Sequence, residues 1–256
     1  MSNVNRQQGE LDIALAYQCL AIEQAQDRPD LLLKCYKYLS FLYLDIHSFS
    51  EALEYQTKAL EIQRNTDHAK DQIADTLYNF GVIYMSQLRS ENDRALEYFN
   101  QALDIYKQLE IPLEMIRCYD AIGQIYLDKK QKETALHHHL QALQLVEKHF
   151  PSYQPYRTSS HAYIARVYES MRDYEQAMKY YNEVLEDKLK YEPLNHPNIA
   201  EIYEQIGGVY HKKGEYDKAI EMYDRSIELR RKIHEENHPH LESIVSTRNC
   251  LRTFVE

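Results

Sequence analysis

Histidines and cysteines are the residues of this chain best equipped for chemistry. His137, His138 and His139 stand in a row, and imidazole is a common zinc and copper ligand. Successive residues of a helix project about 100° apart, so three in a row cannot converge on one ion. His139 also takes the phase that Tyr181 and Tyr223 hold elsewhere, which makes it a packing residue. His238 and His240 would converge only on locally extended chain, and the run Asn237-His238-Pro239 reads as a loop. Cys19, Cys35, Cys118 and Cys250 form no close pair. Cys35 and Cys118 share one phase, which suggests a small buried position. A nucleophilic thiol needs a positioned base, and none is indicated. There is no glycine-rich phosphate loop and no His-Glu-x-x-His. The sequence therefore predicts no catalytic residue, no metal site and no cofactor, and the chain is not expected to be an enzyme.

Composition says what kind of scaffold carries these residues. The 256 residues include only 6 Gly and 7 Pro, and 23 Tyr with no Trp. A β-rich fold needs turn residues that are scarce here. Abundant helix formers with short connections point to an all-α protein. A net charge of −10 argues against nucleic acid or an anionic membrane as the main partner. No apolar run reaches the ~18 residues of a membrane span, so no membrane insertion is expected. The first ten residues have no apolar signal region, and there is no Asn-x-Ser/Thr sequon. With unpaired cysteines, these features point to a reducing, cytoplasmic setting.

The helices repeat. ALAYQCLAIEQ, ALEYQTKALEI, ALEYFNQALDI, ALHHHLQALQL, AMKYYNEVLED and AIEMYDRSIEL begin at Ala14, Ala52, Ala95, Ala135, Ala177 and Ala219, spaced by 38, 43, 40, 42 and 42 residues. Before each of the last five lies a second segment: LSFLYL, FGVIYM, IGQIYL, IARVYE and IGGVYH. Each puts a Tyr at one phase (Tyr43, Tyr84, Tyr126, Tyr168, Tyr210) and a small residue three earlier (Ser40, Gly81, Gly123, Ala165, Gly207). A small residue on the first helix and an Ala on the second let two helices approach closely. The Tyr is expected to fill the space beside that approach. A unit of this kind packs only on its neighbours, so length adds repeats rather than one larger core.

The two-helix pattern resembles the tetratricopeptide repeat, whose small, aromatic, Ala, aromatic, Ala order reads here as Gly207, Tyr210, Ala219, Tyr223 and Ser226. Tyr36, Tyr119 and Tyr203 stand where that family usually has Trp. Its standard unit is about 34 residues. The longer spacing, with Asn-His-Pro at 195–197 and 237–239, is similar to the repeats of kinesin light chains. The resemblance implies a right-handed α-solenoid, a superhelix of antiparallel helix pairs with about twelve helices. A single array would span 1–256: a half repeat at 10–26, full repeats at 30–65, 68–109, 112–149, 153–190 and 196–235, and a C-terminal capping helix at 239–253. Two extra residues fall in the turn around 89–93. The last helix puts Arg248, Asn249 and Arg252 at phases that should be apolar, small and aromatic, as a solubilising cap requires. The first half repeat leaves Leu11, Ala14, Leu15 and Leu20 without a preceding helix.

In the family the first helix of each pair lines a concave groove. Carried onto this chain, that implies a partner-binding groove containing Lys34, Lys37, Tyr38, Phe41, Tyr78, Asn79, Arg117, Gln124, Tyr163 and Arg166, with His211 one turn further on. Inward aromatics with Arg are typical anchors for a peptide. The basic groove residues lie toward the N-terminal end and the acidic ones, such as Glu201 and Glu204, toward the C-terminal end. Such a gradient would orient a bound segment. Some relatives hold a C-terminal carboxylate in a clamp. Lys37, Asn79 and Arg117 match its phases, while Phe41 replaces an Asn and Ala121 a basic residue.

The function these features imply is a protein–protein interaction scaffold or adaptor that binds a protein or peptide ligand, without nucleic acid. One alternative is a regulatory segment of a larger enzyme or motor-adaptor protein whose active domain lies outside this chain. Another is self-association through the uncapped N-terminal face.

Overall fold

The computed structural model describes residues 2–25, 27–66, 70–87, 89–151, 154–191, 193, 196–232 and 239–254, with the side chains of 2–12, 89, 154 and 239–240 left aside. Among the described residues there are twelve α-helices and no strand. They are α1 (Ser2–Gln24), α2 (Pro29–Asp45), α3 (Phe49–Asn65), α4 (Lys70–Gln87), α5 (Asn92–Gln108), α6 (Pro112–Asp128), α7 (Lys132–His149), α8 (Gln154–Met171), α9 (Tyr174–Tyr191), α10 (Pro197–Lys213), α11 (Tyr216–Arg231) and α12 (Pro239–Arg252). The chain forms two compact units, Met1–Asp128 and Lys129–Glu256. In each, helices adjacent in sequence pack side by side. The extra residues before α5 form a 3₁₀ turn at Arg89–Glu91. α1 begins at Ser2, well before the half repeat expected at 10, because the polar run 2–10 carries no apolar period to betray a helix. No described helix is long and apolar enough to cross a membrane.

Within a pair the alanines do what their spacing predicts: Ala52, Ala59, Ala95, Ala102, Ala177 and Ala219 are fully buried. The aromatic packing differs from the sequence expectation. The ring seated on the small residue belongs to the second helix: Phe99 covers Gly81 and Tyr223 covers Gly207. The first-helix tyrosines lie beside this contact and stack on a second-helix Tyr. Centroids are 5.5 Å apart for Tyr43–Tyr55, 5.6 Å for Tyr84–Tyr98 and 5.8 Å for Tyr168–Tyr180, with planes within 14° of parallel. Where the small residue is Ser40, its hydroxyl donates to the Ala52 carbonyl at 2.9 Å, so the buried oxygen is satisfied. Successive pairs in the first unit are tied by glutamines. Gln56 Nε2 donates to the Thr76 carbonyl at 3.0 Å and Gln63 Nε2 to that of Gln72 at 2.9 Å.

The turns repeat as well as the helices. His47, Arg172 and Gly214 end α2, α8 and α10 in the left-handed region, with φ of 59°, 65° and 79°. In each, the next backbone N–H returns to the carbonyl of the repeat Tyr: Ser48 to Tyr43 (2.8 Å), Asp173 to Tyr168 (3.0 Å) and Glu215 to Tyr210 (3.0 Å). This six-to-one bond is the Schellman closure, which satisfies carbonyls that a helix end leaves open.

The last helix is fixed by charge as well as by apolar contact. Asp224 of α11 receives Arg248 at 3.0 Å and Arg252 at 3.2 Å. Leu241, Ile244 and Leu251 are buried with Ala219, Tyr223 and Ile227.

Candidate functional site

Three first-type helices of the first unit converge on one cavity of about 290 Å³. α2 contributes Lys37, Ser40, Phe41 and Leu44, α4 contributes Tyr78, Asn79, Val82 and Ile83, α6 contributes Arg117, and Gln56 closes the floor from α3. Five residues singled out in the sequence, Lys37, Phe41, Tyr78, Asn79 and Arg117, thus share one lining. Phe41 is 60% exposed, although apolar side chains of its size are usually buried.

The cations here are held differently. Arg117 Nη1 donates to Glu114 at 2.6 Å, and its guanidinium lies 4.5 Å from the centroid of the Tyr78 ring. Burial works against its charge, but Tyr78 and Glu114 outweigh burial and hold it protonated. Tyr78 in turn leans on Phe99 at 5.2 Å, so the packing that seats α5 on α4 also orients the arginine. Lys37 makes no ion pair with any described residue. Burial lowers its pKa below the ordinary 10.5, with Asp75 and Asp71 pulling the other way. Asp75 is engaged by the buried Tyr106, whose hydroxyl donates to it at 2.6 Å. A partly desolvated ammonium, a preset guanidinium and the Asn79 amide can receive a carboxylate or a carbonyl, and the apolar remainder can receive an aliphatic side chain.

The remaining groove residues sit elsewhere. Lys34 and the 47% exposed Tyr38 lie on α2 outside this lining. Gln124 Nε2 donates to Asp128 at 3.3 Å. In the second unit Tyr163 stacks on His139 at 5.0 Å with planes 12° apart, so it packs α8 on α7. Arg166 is exposed, and His211 sits 6.1 Å from the Tyr216 ring near the turn after α10. Glu114, which fixes Arg117, lies outside the groove residues named from the sequence, although a carboxylate three residues before an arginine on a helix is a readable signal. Ser40, Leu44 and Ile83 also line the cavity, at phases that the repeat places against the neighbouring helix.

The second unit has a wider cavity, about 550 Å³, between α10, α11 and α12, lined by Glu201, Glu204, Gln205, Tyr223, Arg230, Ser243, Ile244 and Thr247. Arg230 is buried and its Nη2 binds Glu204 at 3.0 Å, which neutralises part of the acidic character expected from the sequence.

His139 is fully buried. Among the described residues no group of three or more His, Cys, Asp or Glu is placed to hold a metal ion. Cys118 is buried, which pushes its thiol up to about 12, whereas Cys35 at the same phase is only half-buried. His196 caps α10, its Nδ1 accepting from the Asn198 N–H at 3.3 Å ahead of Pro197 at the first turn. Asn195, Asn237 and His238 lie outside the described residues, as does the side chain of His240.

The tetratricopeptide repeat profile matches residues 36–108, 72–148 and 198–244, and a second profile of that description matches 160–186. No curated protein matches the chain in sequence. Several solved structures share its fold. BtubC (BKLC) from P. vanneervenii is 17% identical with a TM-score of 0.76, over 89% of this chain and 94% of that one. Aspartyl phosphate phosphatase F from Bacillus subtilis is 20% identical with a TM-score of 0.71, over 91% of this chain and 58% of that one. The Rap conjugation gene regulator of plasmid pLS20, in complex with the Phr peptide, is 19% identical with a TM-score of 0.64, over 82% of this chain and 56% of that one. At such identities the likeness is one of fold, an all-α solenoid of helix pairs.

Proposed function

The chain belongs to the tetratricopeptide repeat family, and from that premise we propose that it is an interaction scaffold whose first unit seats a peptide segment of a partner protein. The segment lies over the cavity lined by Lys37, Phe41, Tyr78, Asn79 and Arg117. The observation that carries this reading is Lys37: a half-buried ammonium, without an ion pair among the described residues, lining the same hollow as Arg117, Asn79 and the apolar Phe41, Val82 and Ile83. Keeping an unpaired charge there is costly unless a ligand completes it. An acidic side chain or terminal carboxylate of the segment binds between Lys37 and Arg117 while an adjacent apolar residue covers Phe41 and Val82. The fold is compatible with such use, since the similar pLS20 regulator is held in complex with a peptide. Specificity comes from the pairing of two cations with an apolar neighbour. A cytoplasmic setting, on the sequence grounds given above, belongs to the same proposal.

The test is a peptide array probed with the wild-type chain and with a Lys37→Glu/Arg117→Glu variant. The expected selection is for acidic or C-terminal carboxylate groups beside an aliphatic residue, lost in the variant. Retention of the same peptides by the variant removes the cavity from the binding site.

One observation favours a second reading, a regulatory segment serving an active domain outside this chain: two of the similar structures are longer, and the chain spans 58% and 56% of them. Sequencing the native transcript beyond both ends of this reading frame decides it.

A further inference from the structure

The hollow between α10, α11 and α12 belongs to the second unit and has a chemistry of its own. Its Glu204 is already bound to Arg230, so the charge left over is that of Glu201. The Glu201 carboxylate is exposed, accepts from the neutral Gln205 Nε2 at 3.3 Å and makes no ion pair among the described residues. Tyr223 lines the same hollow. It is only 6% exposed, because its ring covers Gly207, yet its hydroxyl has no hydrogen-bond partner among the described residues. The hydroxyl of a buried tyrosine is normally paired. Arg230 Nε and Gln205 Oε1 also lack partners, but both are sealed from solvent and meet no ligand.

Gly208 stands beside that hydroxyl. A Cβ built there meets nothing within 4 Å except the Tyr223 oxygen, at 3.8 Å. Neither packing nor backbone conformation calls for glycine, since α10 runs on through this residue without a positive φ. Glycine weakens a helix interior. The same phase carries Phe41, Val82, Gln124 and Arg166 in the other repeats. At Gly208 alone this phase is stripped to the backbone, as a ligand that approaches closely needs.

We propose that this hollow receives a basic side chain, arginine or lysine, from a segment of a partner protein. The backbone of the segment passes over Gly208. The cationic head pairs with Glu201 and donates to the Tyr223 hydroxyl, while the methylene stem lies on Ile244. At about 550 Å³ the hollow is much larger than a small free amine, which leaves room for the chain that carries the side chain. Its charge preference is opposite to that of the Lys37 and Arg117 cavity, and it stands whether or not that cavity binds a peptide.

Degenerate peptide pools that share one fixed central residue, Arg, Lys, Gln or Glu, test this on the full chain at low ionic strength. The wild type should retain the Arg and Lys pools above the Gln pool. Glu201→Gln should reduce that preference about fivefold, the upper end for a partly hydrated ion pair. Gly208→Gln leaves the net charge unchanged and should bring the Arg pool down to the Gln pool, with a urea midpoint no lower than that of the wild type. Lys37→Gln/Arg117→Gln should lose the Glu pool and keep the Arg preference, so failure here and failure of the first-unit reading give different patterns. Equal retention of the Arg and Gln pools by the wild type, or an Arg preference that survives either Glu201→Gln or Gly208→Gln, overturns the proposal.

Discussion

Replacing Gly81 by alanine isolates the contact on which a helix pair closes. A Cβ built there lies 2.7 Å from Cδ1 and Cε1 of Phe99 and 2.9 Å from its Cζ. Carbon atoms settle at about 3.5–4.0 Å, so the ring must move. Phe99 is fully buried between α4 and α5, and the displacement reaches Tyr78 and, through it, Arg117. Overpacking of this kind costs about 1–3 kcal/mol, while alanine returns about 1 kcal/mol of helix propensity. The net loss expected is up to about 2 kcal/mol. Two other glycines calibrate the argument. At Gly207 the nearest atoms are Tyr223 Cε1 and Cδ1 at 3.1 and 3.2 Å, so strain and propensity nearly cancel. At Gly208 only the Tyr223 hydroxyl is near, at 3.8 Å, and alanine gains about 0.5–1 kcal/mol. Urea unfolding followed by far-UV circular dichroism should place the midpoints in the order Gly208→Ala, Gly207→Ala, Gly81→Ala, with unchanged slopes. Adding Phe99→Leu to Gly81→Ala should cost less than the two singles summed. A Gly81→Ala midpoint at or above the wild type would refute the claim that the glycine exists to seat the ring.

Three further outcomes can be measured in the same way. Arg172→Gly should raise stability by about 1 kcal/mol and Gly214→Ala should lower it by a similar amount, because both positions hold a left-handed φ that only glycine adopts freely. Tyr106→Phe removes the 2.6 Å bond to Asp75 and should cost about 1 kcal/mol, the lower end because Asp75 is exposed and can rehydrate. His161 has its pKa lowered from the ordinary 6.5, chiefly by burial, with Glu183 at 3.3 Å opposing and Arg157 assisting. The unfolded chain therefore binds the proton more readily, so stability is complete above 6.5 and declines as pH falls toward the lowered value. A His161→Phe variant should show a flatter unfolding midpoint between about pH 7.5 and pH 5.

The repeat was legible because its causes are local and periodic. An Ala every seven residues and a small residue three before a Tyr are spacings that only one packing explains. What the small residue faces was not legible, since Phe99 and Tyr98 are neighbours in sequence and only the assembled pair shows which ring covers Gly81 and which stacks on Tyr84. The convergence of Lys37, Asn79 and Arg117 could be read through the family's phases, because those positions recur at the same place on α2, α4 and α6. The use of Tyr163 as a stacking partner for His139 could not, because it joins α8 to a helix of the preceding repeat, and His139 breaks the aromatic pattern. The polar phases of the last helix, Arg248 and Arg252, are readable in the sequence. Their shared partner Asp224 emerges only in three dimensions.

That arginine fork has a kinetic consequence. A helix that packs mainly on one neighbour, as α12 does on α11 among the described residues, can open while the rest of an array stays folded. Arg252 and Asp224 are each nearly half exposed, so dissolved salt screens this half of the attachment and leaves the apolar half untouched. Amide exchange in α12 should therefore quicken with ionic strength while exchange in α10 stays constant. The hollow bounded by Ser243, Ile244 and Thr247 exists only while α12 is seated. Any occupant of that hollow acts as a brake on fraying, and its effect on exchange at the C-terminal end reports its presence.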